Sequence, residues 1–248
     1  MVRSTRYLLN LAFSHIDWLP TTSSSSSASL RSLCDQAKVS KLAFLRHGKT
    51  GPKPDGGIDF DRFLTDLGQN QAKEAGSSFG RQLAPFYSQA LVSPAPRTVE
   101  TAELFLESAN QKCHIQTSQV LYDGTMQPEG SVLFQKIGYA PLSDYVDSED
   151  QNDRAVSRKV LGEYSSAAID AISETLKTGA GQQEDSTLLV VGHAIYLPAA
   201  ALGVASLVDC QPEGLETILS CNTQEAEGYL IDLESSQATY LSRPSSLV

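Results

Sequence analysis

The sequence predicts an α/β protein, a three-layer α/β/α sandwich with a mostly parallel central sheet. Two observations predict this class. Strand-like and helix-like segments alternate after about residue 40, and strands such as "KLAFL" (41–45) and "TLLVVGH" (187–193) are almost wholly apolar. Continuous apolar strands are typical of parallel sheets that carry helices on both faces. Ligands of such sheets bind outside the carboxyl ends of the strands.

Short apolar runs predict the strands and apolar residues at helical spacing predict the helices. Thr65 suits the N-cap of the first helix after the first strand, and Pro96 suits the first turn of the next one. The predicted strands are 41–45, 89–93, part of 113–122, 187–193 and 228–234, and the predicted helices are 65–84, 96–109, 160–177 and one beginning at 197.

Composition excludes several classes of function. The 248 residues carry a formal net charge of -10, and no basic stripe is present, so we expect no nucleic-acid partner. No apolar run reaches the length of a membrane span, and we expect no membrane partner. The four cysteines lie far apart, without a C-x-x-C pair or a histidine at metal-ligand spacing. We therefore expect no metal and no cofactor.

The first 40 residues differ in composition from the rest. "YLLNLAF" follows two arginines and precedes "TTSSSSSAS", which predicts either a disordered leader or a targeting segment over residues 1–40. Asp17 and Asp35 argue against a transit peptide, because such peptides are poor in acidic residues. Residues 41–248 are predicted to form one catalytic domain, in an intracellular protein that is cytoplasmic or organellar.

Chemically active side chains directly follow three of the predicted strands. "RHG" places Arg46 and His47 after the first strand, "SPAPR" places Ser93 and Arg97 after the second, and "GHA" places His193 after the fourth. Because the carboxyl ends of parallel strands meet at one edge of the sheet, we expect these side chains to lie together.

Two guanidinium groups and two imidazoles at one place favour phosphate chemistry. The planar forks of Arg46 and Arg97 match a tetrahedral oxyanion, so a dianionic phosphoryl group is the natural ligand. Their positive charge disfavours protonation of a neighbouring imidazole, which keeps a histidine neutral and nucleophilic. Gly48 lets the substrate approach the backbone, and helix N-termini after the strands supply further N–H donors.

Four ordered blocks, "LRHGKT", "DRFLTDLGQNQA", "LVSPAPRTVETAELF" and "VVGHA", resemble the signature blocks of the histidine phosphatase superfamily, also called the phosphoglycerate mutase-like family. The resemblance spans residues 41 to about 234. It implies that His47 is the nucleophile that becomes phosphohistidine. It also implies that Arg46, Arg97 and His193 bind the phosphoryl oxygens, and that the Thr50 hydroxyl contacts phosphate.

The leaving group needs a proton, and members of the family with a strong general acid place a carboxylate in an L-x-E/D stretch after the third strand. In "LYDGTMQPEG" that position is Asp123, and Glu129 is the competing carboxylate. Asp123 before Gly124 also suits a plain turn. A site without a dedicated acid is the third alternative.

The branch of the family and the substrate are read from the segments between the blocks. The first block lacks the Asn-containing continuation of the mutases, and the short join that follows resembles compact phosphatases, including SixA-type phosphohistidine phosphatases. Residues 123–158 form a longer insertion that carries Phe134, Tyr139 and Tyr145, either as a lid over the site or as a local packing cluster.

The sequence therefore predicts a metal-independent phosphomonoesterase that acts on a phosphorylated small molecule or a phosphoprotein. The alternatives are a catalytically weak phosphate-binding or phosphoprotein-binding module and a phosphoglycerate mutase-type phosphotransferase. No oligomeric state is predicted.

Overall fold

A six-stranded sheet forms the centre of the protein. In the computed structural model, the described residues are 16–19, 29–83, 86–123, 125, 127–179 and 185–244. The strands in spatial order are β3-β2-β4-β1-β5-β6. Their bounds are β1 (Val39–Arg46), β2 (Phe86–Val92), β3 (His114–Thr117), β4 (Ser186–Gly192), β5 (Gly228–Asp232) and β6 (Gln237–Leu241).

The first four strands are parallel and the last two are attached by antiparallel pairing. β4 pairs in parallel with both β1 and β2, and β2 also pairs in parallel with β3. β5 is antiparallel to β1 and β6 is antiparallel to β5. In this register Arg46 lies opposite Gly192 and Val92 lies opposite Val191. The carboxyl ends of β1, β2 and β4 are therefore level with one another.

Helices cover both faces of this sheet. They are α1 (Leu30–Ala37), α2 (Asp66–Leu83), α3 (Pro96–Ser108), α4 (Val120–Asp123), α5 (Pro128–Ile137), α6 (Leu142–Val146), α7 (Gln151–Thr178), α8 (Tyr196–Leu207) and α9 (Pro212–Ser220), with a 3-10 helix at Asp59–Asp61.

The alternation of side chains along β1 shows how the core is divided. Leu42 and Phe44 belong to the larger apolar cluster, which α1, α7 and α8 complete, whereas Ala43 and Leu45 belong to the smaller one, which α2 and α3 complete. Successive residues of a strand point to opposite faces, so both faces of the sheet are buried. The predicted three-layer α/β/α class is confirmed.

The helix starts that the sequence predicted are formed as expected. Thr65 precedes α2, and its hydroxyl oxygen accepts a hydrogen bond of 3.1 Å from the backbone N–H of Gly68. Pro96 is the first residue of α3. These caps matter for the site because both helices begin just after segments that carry its side chains.

The folded part of the chain begins before residue 41, where we drew its boundary. α1 presents Leu30, Leu33, Cys34 and Ala37 to the core, and β1 already starts at Val39. Apolar residues at this helical spacing bury one face of a short helix, which the neighbouring Ser-rich composition obscured. Residues 1–15 and 20–28 lie outside the described residues, so the leader predicted there stays a prediction.

Other differences concern the segment between β3 and β4. Part of 113–122 was predicted as strand, but β3 ends at Thr117 and α4 follows at Val120–Asp123. The predicted insertion at 123–158 contains α5, α6 and the start of α7, which begins at Gln151 instead of residue 160. None of the helices in the described ranges is long and apolar enough to span a membrane.

Candidate active site

The aligned carboxyl ends of β1, β2 and β4 bring distant side chains together. The backbone N–H of His47 donates to Gly192 at 3.1 Å, and that of Ser93 donates to Val191 at 3.0 Å, so both follow their strands in register. The ring centroids of His47 and His193 are 5.3 Å apart, in an edge-to-face arrangement. The predicted juxtaposition of the two histidines is therefore present.

One ring nitrogen of His47 is hydrogen-bonded within the protein, and the other is available to a substrate. Its Nδ1 lies 2.8 Å from the carbonyl oxygen of Gly48. Because a carbonyl oxygen only accepts, Nδ1 carries the proton, and in the neutral ring Nε2 holds the free lone pair. Burial, together with the neighbouring His193 and Arg46, holds the pKa of His47 well below its usual 6.5. The imidazole is therefore neutral at physiological pH.

Gly48 is required by a close backbone contact. A Cβ atom at this position would lie 2.4 Å from the carbonyl oxygen of Gly68 in the first turns of α2. The Gly48 N–H also donates to the hydroxyl of Thr101 in α3, at 3.1 Å. The absence of a side chain thus lets the chain after His47 pass directly against two helices.

His193 is oriented by partners on both ring nitrogens. Nη2 of Arg97 lies 3.4 Å from Nδ1, and Nε2 lies 2.8 Å from the hydroxyl oxygen of Ser93. Since a guanidinium only donates, Nδ1 accepts, and the neutral ring donates from Nε2 to Ser93. Burial, then the charges of Arg97 and Arg46, hold the pKa of His193 well below 6.5. Both imidazoles are therefore uncharged.

Arg97 is buried, and a carboxylate from another segment is bound to it. Nη1 donates to the backbone oxygen of Asp59 at 2.6 Å, and Nη2 donates to its Oδ2 at 2.7 Å. Burial acts to raise the pKa of Asp59, but the pairs with Arg97 and Arg62 outweigh it and lower that pKa below 3.8. The backbone oxygen and Oδ2 of Asp59 thus accept hydrogen bonds from both terminal nitrogens of the Arg97 guanidinium.

Arg46 is almost completely buried. Only 3% of it is exposed, and Nη1 donates to the backbone oxygen of Thr223 at 2.7 Å. The ring of Tyr139 covers its guanidinium, with the carbon Cζ 4.6 Å from the ring centroid. Burial lowers the pKa of Arg46 from its ordinary value. Its Nε is buried without a hydrogen-bond partner among the described residues.

A cavity of about 300 Å³ opens at this edge of the sheet. Its lining combines the two histidines and Arg97 with several apolar side chains, and the segment of the 3-10 helix supplies further charged groups. The described residues that line the cavity are His47, Asp59, Arg62, Arg97, Thr125, Ser131, Phe134, Tyr139, His193, Ala194, Ile195 and Tyr196. Arg46 is not in this set. The ring of Tyr139, which does line the cavity, lies over the Arg46 guanidinium.

A family model described as the histidine phosphatase superfamily (branch 1) matches residues 42–224 of this chain. This match spans all four motif blocks and most of the fold described above. The chain belongs to the histidine phosphatase superfamily. The resemblance predicted from the sequence is confirmed, and membership supports a phosphatase or mutase type of activity.

Solved structures are also similar to this superfamily member. A phosphoglycerate mutase from Bacillus anthracis matches with a TM-score of 0.49 at 18% identity, covering 82% of this chain and 92% of that chain. A phosphoserine phosphatase from Entamoeba histolytica in complex with 3-phosphoglyceric acid matches with a TM-score of 0.48 at 16% identity, covering 83% and 97%. The protein histidine phosphatase SixA complexed with tungstate matches with a TM-score of 0.41 at 18% identity, covering 82% and 95%. No curated protein sequence matched the chain.

Asp123, Glu129 and Thr50, like Arg46, are not among the described residues that line the cavity of this superfamily member. Asp123 is exposed on α4, where its Oδ1 accepts a hydrogen bond of 2.7 Å from the Gln119 side chain. Glu129 is exposed in the first turn of α5. Thr50 forms an isolated β-bridge with Leu64. Their proposed roles stay predictions.

Sequence reasoning missed residues that the fold brings to the site. Tyr122, next to Asp123, packs its ring against that of His193 with centroids 5.7 Å apart, and its hydroxyl lies beside Arg97 and Asp59. Burial is the main reason that the pKa of Tyr122 is raised. Asp59 was missed because its loop holds several acidic residues and shows no periodicity. Only its position near the second block hinted at the site.

The described side chains were also expected to form no metal centre. Among them, no group of three or more His, Cys, Asp or Glu residues could hold a metal ion. The positive charge of the described site instead comes from Arg46, Arg62 and Arg97.

Proposed function

We propose that this protein is a metal-independent phosphomonoesterase that forms a covalent phosphohistidine on His47. The observation that carries the proposal is the tautomer of His47, whose Nδ1–H donates to Gly48 and leaves Nε2 free in a residue that lines the cavity. Burial and nearby cations keep this imidazole neutral, which a nucleophile requires.

In the first step of the proposed reaction, Nε2 of His47 attacks phosphorus. An N–P bond forms, the ester P–O bond breaks, and its electron pair stays on the leaving oxygen, which takes up a proton. Arg97 and Arg46 bind the phosphoryl oxygens and stabilise the charge that is delocalised over them in the transition state. The Tyr139 ring contacts the Arg46 guanidinium in the present structure, and we expect this ring and the phosphoryl group to compete for Arg46.

In the second step, water attacks the phosphohistidine. A P–O bond forms, the P–N bond breaks, and the electron pair returns to Nε2, so inorganic phosphate is released. The bond from His47 to Gly48 supports both steps, because it holds the ring in one orientation and fixes the proton on Nδ1. His193, whose ring nitrogens contact Ser93 and Arg97, helps to fix the Arg97 guanidinium beside the phosphoryl group.

The substrate is proposed as a phosphorylated small molecule or a phosphorylated side chain of a protein. The cavity of about 300 Å³ has room for a phosphoryl group and a small leaving group. Phe134, Tyr139 and Ile195 give the leaving-group side an apolar character.

The test is hydrolysis of para-nitrophenyl phosphate in the presence of EDTA, with the His47→Ala variant as the blank. We expect wild-type turnover, and a loss of about 10⁶-fold in the variant, the scale seen when a catalytic nucleophile is removed. Trapping with labelled substrate should yield an enzyme-bound phosphoryl group that is labile in acid and stable in alkali. His47→Ala should yield none.

Other outcomes would identify the alternative functions. Absence of turnover with retained binding of inorganic phosphate would indicate a phosphate-binding module. Isomerisation of a phosphorylated metabolite without release of free phosphate would indicate a mutase-type phosphotransferase. Label on a residue other than His47 would overturn the assignment of the nucleophile.

A further inference from the structure

A carboxylate that the motif analysis did not single out lies inside the cavity. Asp59, on the 3-10 helix, pairs with Arg97 through Oδ2 at 2.7 Å and with Arg62 through Oδ1 at 3.2 Å. Among the described residues that line the cavity, it is the only carboxylate. Asp123 and Glu129 are exposed elsewhere on α4 and α5.

We propose that Asp59, rather than Asp123 or Glu129, is the catalytic carboxyl group that donates a proton to the leaving oxygen. The inference rests on the proposed phosphatase function and deepens it. The proton donor then lies just before the second motif block, in the 3-10 helix segment, and not in the segment after β3 where the sequence predicted it.

The contacts of Arg97 place Asp59 next to the phosphoryl group. Nη2 of Arg97 contacts both Oδ2 of Asp59, at 2.7 Å, and Nδ1 of His193, at 3.4 Å. The His193 ring in turn lies against that of His47. A phosphoryl group bound to both Arg97 and His47 must therefore lie beside the Asp59 carboxyl. A general acid needs this proximity first, and a suitable pKa second.

Substrate binding changes the electrostatic surroundings of Asp59 in the required direction. In the free protein, the pairs with Arg97 and Arg62 keep the carboxyl ionised. A bound phosphoryl group competes for Arg97 and brings its own negative charge, and both effects favour the protonated carboxyl. The second pKa of a phosphate monoester is about 6, so a monoanionic substrate can deliver its proton to Asp59 when it binds.

The proton balance of the cycle closes without another reactant. As the P–O ester bond breaks, protonated Asp59 gives its proton to the leaving oxygen and becomes a carboxylate. When water attacks the phosphohistidine, the carboxylate takes a proton from that water and passes it to the departing phosphate, so that Asp59 returns to the ionised state of the free protein. The products are the alcohol and inorganic phosphate.

A purely structural role for Asp59 predicts a different pattern. If the carboxylate only occupies Arg97 in the free protein, its removal changes phosphate binding equally for all substrates. A proton donor instead matters in proportion to the basicity of the leaving oxygen, because an activated aryl oxide leaves without protonation. Dependence on the leaving group therefore separates the two roles.

The experiment compares kcat/KM of Asp59→Asn with wild type across a series from para-nitrophenyl phosphate to simple alkyl phosphates. Asp55→Asn is the matched control, because Asp55 is an exposed carboxylate in the same segment and does not line the cavity. Asp123→Asn and Glu129→Gln test the competing assignments. We expect Asp59→Asn to lose about 10²- to 10³-fold on alkyl phosphates and less than about fivefold on the aryl phosphate.

The outcomes distinguish this inference from the proposed function. Equal losses on both classes in Asp59→Asn, or the selective alkyl loss appearing in Asp123→Asn or Glu129→Gln instead, would overturn the role of Asp59 while leaving the phosphatase intact. Wild-type protein that hydrolyses neither class would overturn the proposed function and this inference with it. Thermal unfolding of each variant confirms that comparisons are made between folded proteins.

Discussion

Two parts of the candidate active site are built differently. The sheet edge, defined here as Arg46, His47, Arg97 and His193, is held at the ends of level strands and at the start of α3, and its two arginines are almost completely buried. The cover, defined here as residues 51–64 and 128–146, reaches the cavity from loops and short helices. Its Tyr139 is 59% exposed.

This difference in construction predicts different roles for the sheet edge and the cover. Strand pairing fixes the sheet edge to within the tolerance that phosphoryl transfer needs, because neighbouring strands determine one another's position. The cover is not fixed by strand pairing, and under the proposed function it faces the leaving group. We therefore expect changes at the sheet edge to affect all substrates alike, and changes in the cover to depend on the leaving group.

The largest expected effect compares two arginines that line the same cavity. Arg97→Ala should lower kcat/KM by about 10³-fold on every phosphomonoester, because a fork that stabilises the transition state is lost. Arg62→Ala removes the same charge from the cover, where the Arg62 guanidinium donates hydrogen bonds to the backbone oxygen of Gly51 and to Oδ1 of Asp59. We expect it to cost less than about tenfold. Steady-state kinetics with one aryl and one alkyl phosphate measure both.

Equal losses in the two arginine variants would contradict the division between sheet edge and cover. Arg97→Lys refines the test, since it keeps the charge but not the planar fork. Partial recovery confined to KM would show that charge alone attracts the substrate.

The next effect concerns the backbone beneath His47. Gly48→Ala would place a Cβ 2.4 Å from the backbone oxygen of Gly68, so we expect a loss of about 1–3 kcal/mol in the free energy of unfolding. Gly51→Ala is the matched control, because its Cβ would meet nothing closer than Thr65 Cγ2 at 3.9 Å. Urea unfolding measures both, and similar stabilities would show that α2 can move away from the site.

The sheet edge could be predicted from the sequence because its residues follow apolar strands directly. Once four strands are parallel, the ends after Leu45, Val92 and Gly192 must lie side by side. The first and fourth motif blocks then carry both histidines to one place. No detail of packing was needed for that inference, since strand order and polarity sufficed.

The cover could not be predicted in the same way. Asp55, Asp59 and Asp61 share one Gly-containing loop, and only the three-dimensional path selects the one that reaches Arg97. The four-residue helix α4 has Tyr122 buried against His193 and Asp123 exposed, although a motif match singles out Asp123. Neighbouring residues of a short helix point in different directions, so the orientation of the helix decides which of the two side chains faces the site. Spacing along the chain does not predict that orientation.

The two parts should also respond to acid in different pH windows. The pKa values of His47 and His193 are held below 6.5, so the unfolded chain binds more protons than the folded protein once the pH falls below about 6.5. Stability is therefore highest above that pH and declines below it, by about 1.4 kcal/mol per pH unit for each imidazole. The lowered pKa of Asp59 instead contributes stability that is lost only near and below pH 3.8.

Urea unfolding at pH 7.5 and 5.5 tests this separation. We expect wild-type protein to be about 2–3 kcal/mol less stable at pH 5.5, and His47→Gln to show about half of that difference. Asp59→Asn should leave the difference unchanged, because its carboxylate stays ionised at both pH values. An unaltered pH difference in His47→Gln would mean that its ring is not kept neutral by the fold.

The smallest expected effect lies where the cover touches the sheet edge. The Tyr139 ring stacks on the Arg46 guanidinium, and a cation–π contact at a partly exposed site is worth about 0.5–1 kcal/mol. We expect this ring to compete with phosphate for Arg46, so Tyr139→Ala should lower the inhibition constant of inorganic phosphate by about twofold to fivefold. Tyr139→Phe keeps the ring and should leave it unchanged. If phosphate binds more weakly to Tyr139→Ala, the ring supports the bound anion instead of competing with it, and the cover belongs to the phosphate site as much as the sheet edge does.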